Sequence, residues 1–510
     1  MSAKVTVFDG ADCIGGNKIH LDFDGHGIFF DFGLNYHRLS QFYEEFLNPR
    51  VSRGIHDHIL MGLIPNIACY REDLIPSDLD MSGAQRLNVD AVFLSHAHMD
   101  HVGSAGLLDT SIPFISTPTT AALLKAMRDS STSGFQYEAA YTSPRFPTAE
   151  DDRVLASSSK EDYQGRRLML PCSCPGPLAE FMARCPSKTK GIVGGSVGDC
   201  SSLAFDTKCF EVDHSIYGAS ALAVETSLGW VVYSGDLRTH GRFGEKTEAF
   251  VRAAKALNPR LLIIEGTRAS REDREDSEAT VKETCLGHAE NEDSLVVADF
   301  SARNFERLDT FAEIAKETGR QLVILSKDAY MLDALECADS VDHVKDLLVY
   351  GDLKSKRSGF ESMVYERHED ILVDPSDIAK NPDQYIVSLS FYDMGKLLDI
   401  GPEGGTYIYS SSEAYTEEQV IDFRRLDSWL KMFKLDVKGF EIVEASGQLV
   451  PEFPPGYHAS GHASASSLLR IIETIDPEHV MPVHTERPDF FKEKLGAKVI
   501  VPRSGIAHDL

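Results

Sequence analysis

The sequence predicts an α/β protein of more than one unit, and three observations carry that expectation. Short apolar runs rich in strand formers recur at both ends of the chain, and several stop at a histidine or a carboxylate. The middle of the chain alternates strand-like and helix-like segments in the rhythm of a parallel sheet. A length of 510 residues is also too great for one ordinary core.

The opening third reads as strands at Lys4–Phe8, Lys18–Phe23, Gly27–Phe32 and Ala91–Leu94, with Gly25-His26-Gly27 as a hairpin turn. Asp31 stands near the end of the third run, where a carboxylate can point into a site. A connection from Asn35 to Asn88 carries helical pieces. A second, from Ser130 to Ser202, is rich in Gly, Pro, Ser and Cys and shows little periodicity. Strands resume at Leu203–Val212, Ala219–Thr226, Gly229–Ser234 and Leu261–Glu265.

The regular α/β texture runs from Thr267 to about Leu430. Leu295–Phe300 reads as a strand, Ser301 as an N-cap, and Ala302–Thr318 as an amphipathic helix stopped by Gly319. Gln321–Ser326 and Asp328–Ala338 complete a βαβ unit. No Gly-x-Gly-x-x-Gly follows its first strand, which disfavours dinucleotide binding. The last segment returns to strands and loops around a helix at Ala465–Ile475.

Composition narrows the class. Hydrophobic content of 42% and aromatic content of 9% suit a globular chain. No apolar run approaches the roughly 20 residues that span a bilayer, so no membrane partner is expected. The N-terminus reads as a first strand, not a signal peptide. Nine scattered cysteines argue against a disulfide framework and for a reducing cytoplasm, with free thiols along the second long connection. A net charge of −28 disfavours a broad basic surface but leaves a narrow basic groove open. Between Arg268 and Asp293, four basic and nine acidic residues are expected to form a solvated surface.

Chemistry concentrates in Ser95-His96-Ala97-His98-Met99-Asp100-His101, directly after an apolar strand. Imidazole and carboxylate are the ligands that zinc takes in catalytic sites. A spacing of two sends His96 and His98 to one side of an extended backbone, and Asp100 and His101 can turn toward a second position. His214, Asp236, Glu265 and His484 each fall at or just beyond a strand end. With Asp31 they outline a loop-lined rim along one sheet edge.

These residues resemble the metallo-β-lactamase fold. Glu265, the run His458-Ala459-Ser460-Gly461-His462 and Pro482-Val483-His484 are similar to its β-CASP nucleases, most closely the RNase J group. The segment Phe300–Arg307 is similar to one in the inserted domain of that family, and the 22-residue step from His462 to His484 matches its spacing. The resemblance implies a metallo-β-lactamase αββα sandwich (residues 1–267 and 431–510) interrupted by an α/β insertion (residues 268–430).

It also implies two zinc ions per chain. His96, His98 and His214 would hold one, Asp100, His101 and His484 the other, with Asp236 bridging. Two dications need carboxylates for neutralisation and neutral imidazoles for affinity. Asp31, Asp100, Glu265 and His462 make up the expected catalytic set. Asp31 would fix the tautomer of a ligand histidine, and Glu265 would orient His462 toward the scissile phosphate. Ser460, Gly461, Arg303 and Asn304 would grip the nucleic-acid backbone, while His458 would support its loop.

The implied activity is hydrolysis of single-stranded RNA in RNA processing or decay, 5′ to 3′ and with internal cleavage. His484 favours RNA over DNA within the family. The chain stops soon after its last motif, like shorter archaeal members. A homodimer and RNA-processing partners are compatible with this reading. Two alternatives stand beside it: a metallohydrolase of another small ester or phosphodiester, and a non-catalytic RNA-processing subunit.

Overall fold

Two β-sheets face each other across an apolar layer, and every candidate site residue of the first half lies at one edge of that sandwich. The structure, a computed structural model, describes the chain except residues 1–2, 45, 132–133, 270, 272–275, 414–416 and 446. The first sheet runs in the order Ser196–Asp199, Arg167–Leu170, Phe114–Ile115, Ala91–Phe93, His26–Phe30, Lys18–Phe23, Ala3–Asp9, Ala507–Asp509. The second runs Thr207–Glu211, Ser220–Thr226, Gly229–Tyr233, Leu261–Glu265, His479–Val483.

Alternation along the strands decides what each face meets. Val5, Leu21, Ile28, Phe30 and Phe93 point inward from the first sheet and meet Leu222, Val231, Tyr233, Ile263 and Met481 of the second. Their neighbours Val232, Leu262 and Ile264 point outward, under the helices Gly244–Leu257 and Ala465–Ile475. Phe29 and Val92 point the other way, beneath the helix Pro118–Ser130. The result is an αββα sandwich.

The hairpin turn lies one residue earlier than expected. Asp24 and Gly25 both have positive φ (52° and 88°), the pair that a two-residue hairpin requires, so His26 already belongs to the strand. The stretch from Ser130 to Ser202, expected as a long connection of little periodicity, supplies the two outermost strands on one side of the first sheet and the helix Gly176–Ala183. The last strand, Ala507–Asp509, closes the other edge against Ala3–Asp9.

A third sheet is wholly parallel, in the order Leu372–Val373, Leu348–Tyr350, Gln321–Ile324, Tyr385–Ser388, Val296–Asp299, Gly405–Tyr409, Leu435–Lys438. Helices cover both faces. Phe305–Glu317 and Ser326–Asp339 pack on one, and Lys396–Ile400 and Glu417–Met432 on the other. Its last strand extends beyond residue 430, so the segment expected to open at 431 first donates a strand to this sheet.

The chain leaves the sandwich after Glu265, and the returning strand His479–Val483 lies parallel beside it, with Glu265 opposite Val483. The inserted lobe is thus suspended from one sheet edge. Two expectations about its base are corrected here. The helix starts at Phe305, because Asn304 and not Ser301 caps it, its Oδ1 accepting from the Arg307 amide at 3.1 Å. The acidic stretch from Arg268 to Asp293 is not all solvated. Glu278 is buried in a bidentate pair with Arg307, both contacts at 3.0 Å.

Phe30 is fully buried, its ring centroid 5.2 Å from that of Tyr233 across the sandwich. Truncation by Phe30→Ala is expected to cost about 3–5 kcal/mol of unfolding free energy, read from chemical denaturation.

Candidate metal centre

Strand ends build the site. Asp31 follows the strand His26–Phe30, His96 follows Ala91–Phe93, and His484 follows His479–Val483. Asp31 and His484 both take left-handed backbone angles, with φ of 58° and 52°. That region is costly for a residue with a Cβ and is held here by the surroundings. The Asp31 amide donates to Phe93 O at 2.7 Å, and the His484 amide to Gly10 O at 2.7 Å. Each turn sends the side chain back over the sheet edge.

Asp31 is fully buried and accepts four hydrogen bonds. The donors are Ser95 N (2.7 Å), Ser95 Oγ (2.8 Å), Tyr233 OH (2.7 Å) and His101 Nδ1 (2.7 Å). The last places the proton of His101 on Nδ1 and leaves Nε2 facing inward. Ser95 and Tyr233 were not foreseen from the sequence. Tyr233 sits in an ordinary buried strand, and nothing local marks its hydroxyl.

Inward from that shell, three imidazoles converge. His98 Nδ1 lies 3.1 Å from His96 Nε2 and 3.2 Å from His214 Nε2. His214 is oriented by donating its Nδ1 proton to the Gly461 carbonyl, so its Nε2 presents a bare lone pair. Burial, reinforced by neighbouring imidazoles, holds His96 and His214 well below the usual range. Burial, with Arg303 nearby, brings His98 down to about 3. Three neutral rings aimed at one point are what a dication requires.

A second group adjoins the first. His484 Nε2 lies 3.2 Å from Asp100 Oδ2, and Thr267 Oγ1 meets His484 Nδ1 at 2.8 Å. His101 Nε2 lies 3.8 Å from Asp100 Oδ2 and 3.0 Å from Asp236 Oδ2. Asp236 stands between the groups. Its Oδ2 is within 3.9 Å of ring nitrogens of His96, His101, His214, His462 and His484. Among the described residues, Asp236 Oδ1 and His101 Nε2 are buried with no hydrogen-bond partner. An orphaned carboxylate oxygen beside an orphaned ring nitrogen calls for a cation. The donor sets His96/His98/His214 and Asp100/His101/His484 each lie close enough to share an ion. The residues fit the group.

His462 faces the same centre from the side and is partly exposed. Its Nδ1 is 3.1 Å from both oxygens of Glu265, which is itself fixed by the amides of Leu237 (3.0 Å) and Thr267 (3.2 Å). Burial works against its charge, but the carboxylates of Glu265 and Asp236 override it and lift His462 to about 9.

The remaining expected residues are less uniform. Ser460 O accepts from Arg238 Nη1 and His240 Nε2, both at 3.0 Å, while its hydroxyl accepts from the His462 amide at 3.2 Å. A side chain at Gly461 would come within 2.8 Å of His214 and Ser215. Ser460 and His458 line a cavity of about 230 Å³ with Arg268, Tyr409 and Tyr457. Arg303 is half-buried, 3.6 Å from Met127 Sδ. Asn304 is buried as a helix cap and does not project as a surface contact. Arg307 is wholly buried, so no part of it reaches solvent.

Residues 71–177 match the metallo-beta-lactamase superfamily, and residues 457–502 match the Zn-dependent metallo-hydrolase RNA specificity domain. The second match contains His462 and His484. In these two segments the chain is similar to metallo-β-lactamase-superfamily hydrolases, and over its length it is similar to ribonuclease J proteins. It is 22% identical over 525 residues to the Ribonuclease J of Pyrococcus abyssi, covering 98% of this chain and 96% of that one. Against the Ribonuclease J of Methanocaldococcus jannaschii it is 22% identical over 509 residues, 95% of this chain and 91% of the relative. A crystal structure of a protein of unknown function from Enterococcus faecalis V583 shares the fold, with a TM-score of 0.70, 22% identity and full coverage of both chains. This ribonuclease J-like chain is a metal-dependent hydrolase.

Asn tolerates the left-handed backbone at position 31, so Asp31→Asn isolates the hydrogen bonds from the turn. It is expected to weaken metal affinity about 10–100-fold, measured by competition with a chromophoric chelator. In the metal-free protein, Glu265→Gln removes the carboxylate that does most to raise the His462 value. The ring should then titrate below about 9, toward the ordinary histidine range, in NMR of labelled histidines.

Proposed function

We propose that the chain is a zinc-dependent ribonuclease that hydrolyses phosphodiester bonds of single-stranded RNA. The observation that carries this is the convergence of seven groups, His96, His98, Asp100, His101, His214, Asp236 and His484, on one strand-end rim beneath an inserted lobe. In this reading His96, His98 and His214 hold one zinc, Asp100, His101 and His484 a second, and Asp236 both. Bound there, the two ions would neutralise the phosphate and lower the pKa of the attacking water.

The chain's own residues supply the rest. Asp31 keeps His101 in the tautomer that presents Nε2. Glu265 holds Nδ1 of His462, so Nε2 is the nitrogen left to meet substrate and to pass a proton to the leaving oxygen. In this reading Ser460 and the Gly461 amide would meet a phosphate oxygen. Arg303, whose charge is felt at His98, offers a cation for the RNA backbone. The overall charge of −28 makes such local cations the means of attracting RNA.

The inserted lobe favours a polymer over a small ester, because it walls the site on the side where the chain leaves the sandwich. We propose 5′-to-3′ exonuclease action with internal cleavage, and residence in a reducing cytoplasm, which suits nine free cysteines.

Two variants separate the roles. His462→Ala should lower kcat on labelled single-stranded RNA by about 10²–10⁴-fold with bound metal retained. His484→Ala should lose both activity and metal, counted per chain by elemental analysis. Zinc-loaded protein that leaves RNA intact, with His484→Ala behaving identically, would sink the proposal. A time course on 5′-labelled RNA, scored for mononucleotide against internal fragments, tests the direction.

A further inference from the structure

Beside the metal centre lies a second buried network that none of the chemistry above uses. Arg238, two residues after Asp236, is fully buried. Its guanidinium reaches Ser460 O at 3.0 Å and Asp213 Oδ2 at 3.3 Å. It also bonds Glu306 of the inserted helix Phe305–Glu317 and lies 3.7 Å from Glu278. Glu278 pairs in turn with Arg307, which bonds Ser410 and Tyr457 O. Two arginines and three carboxylates thus join the loops of His214 and Asp236, the base of the inserted lobe, and the segment carrying His462.

We propose that Arg238 is a positioning residue that holds the 460–462 turn, and through it His462, over the metal centre. Through Glu306 it ties that turn to the seating of the inserted lobe. The turn is fastened to the 236–240 loop from several sides. Ala463 N donates to Leu237 O at 2.8 Å, and Ser460 O takes donors from both Arg238 and His240. Arg238 also reaches the insertion, through Glu306. A planar fork can serve Ser460 O, Asp213 and Glu306 at once, whereas a lysine ammonium cannot span them.

The backbone around the arginine is shaped to it. A Cβ at Gly241 would fall 2.4 Å from the guanidinium and 2.5 Å from Asp213 Oδ2, while the Gly241 amide donates to that same oxygen at 3.0 Å. Only glycine lets the chain pass so close. The turn has equally little slack, since Gly461 already abuts His214. A shift of about 1 Å in a group at the chemistry can cost about 100-fold in rate.

The kinetic part of this inference rests on the phosphodiesterase reading, so the experiment pairs it with a readout that needs no activity. Metal-loaded full chain, Arg238→Lys and Glu306→Gln are compared by hydrogen–deuterium exchange of the peptide spanning residues 457–464. Turnover is measured on single-stranded RNA and on bis(p-nitrophenyl) phosphate. Exchange in that peptide should rise about tenfold in Arg238→Lys, with the peptide over 479–484 unchanged and metal content retained. On whichever substrate the wild type cleaves, kcat should fall about 100-fold while KM moves little. Wild-type cleavage of the ester but not of RNA would overturn the substrate reading and leave the positioning role standing. Unchanged exchange, or a lysine that restores turnover, would overturn the positioning role. If Arg238→Lys does not fold, Glu306→Gln decides: a folded variant with wild-type exchange and turnover rejects the role.

Discussion

One carboxylate oxygen, Asp236 Oδ2, lies within reach of five histidine rings, and the rest of the site is arranged around that crowding. The crowding leaves Asp236 Oδ1 and His101 Nε2 buried without a hydrogen-bond partner among the described residues. The chain therefore has to hold these groups by other bonds. Asp31 fixes His101, Gly461 O fixes His214, Thr267 fixes His484 and Glu265 fixes His462. Each outer bond decides which ring nitrogen faces inward, so the outer shell writes the chemistry of the inner one.

The sandwich makes this possible because strand ends are the only places where a buried core meets open loops on one edge. Inward-facing Phe30, Phe93 and Tyr233 leave no freedom to slide, since a one-residue slip would turn each ring to the opposite face. Asp31 and His484 then turn through left-handed backbone that the surrounding bonds sustain. Core packing and site geometry are thus one constraint. The Tyr233 side chain shows it directly, with its ring in the core and its hydroxyl on Asp31.

Much of this was legible in the sequence where chemistry demanded particular residue types close together. The run from Ser95 to His101 could be read because ligand identity and strand position coincide within a few residues. His214, Asp236, Glu265 and His484 could be read because each falls at or just beyond a strand end. What the sequence hid were pairings made across the fold. Arg307 lies on a helix face that looks amphipathic, yet Glu278, 29 positions away, draws it inside. The Ser301 cap lost to Asn304 because residues 301–304 close a turn of their own, Asn304 N to Ser301 O at 2.8 Å. The strand Ala507–Asp509 has no local signature, since its partner lies at the opposite end of the chain.

The same distinction separates the two buried polar systems. The metal centre is rich in histidine and sits at strand ends, so its chemistry shows in composition. The arginine network is built from common residues, and burial alone gives it meaning: an exposed Arg–Glu pair contributes little, whereas one with both partners buried fixes geometry because neither can be left unpaired. Arg238, Glu306, Glu278 and Arg307 meet that condition where the sandwich and the inserted lobe touch. A lobe so fastened cannot shift without disturbing the turn that carries His462. In this chain the seating of the inserted lobe and the position of His462 are therefore set by the same bonds.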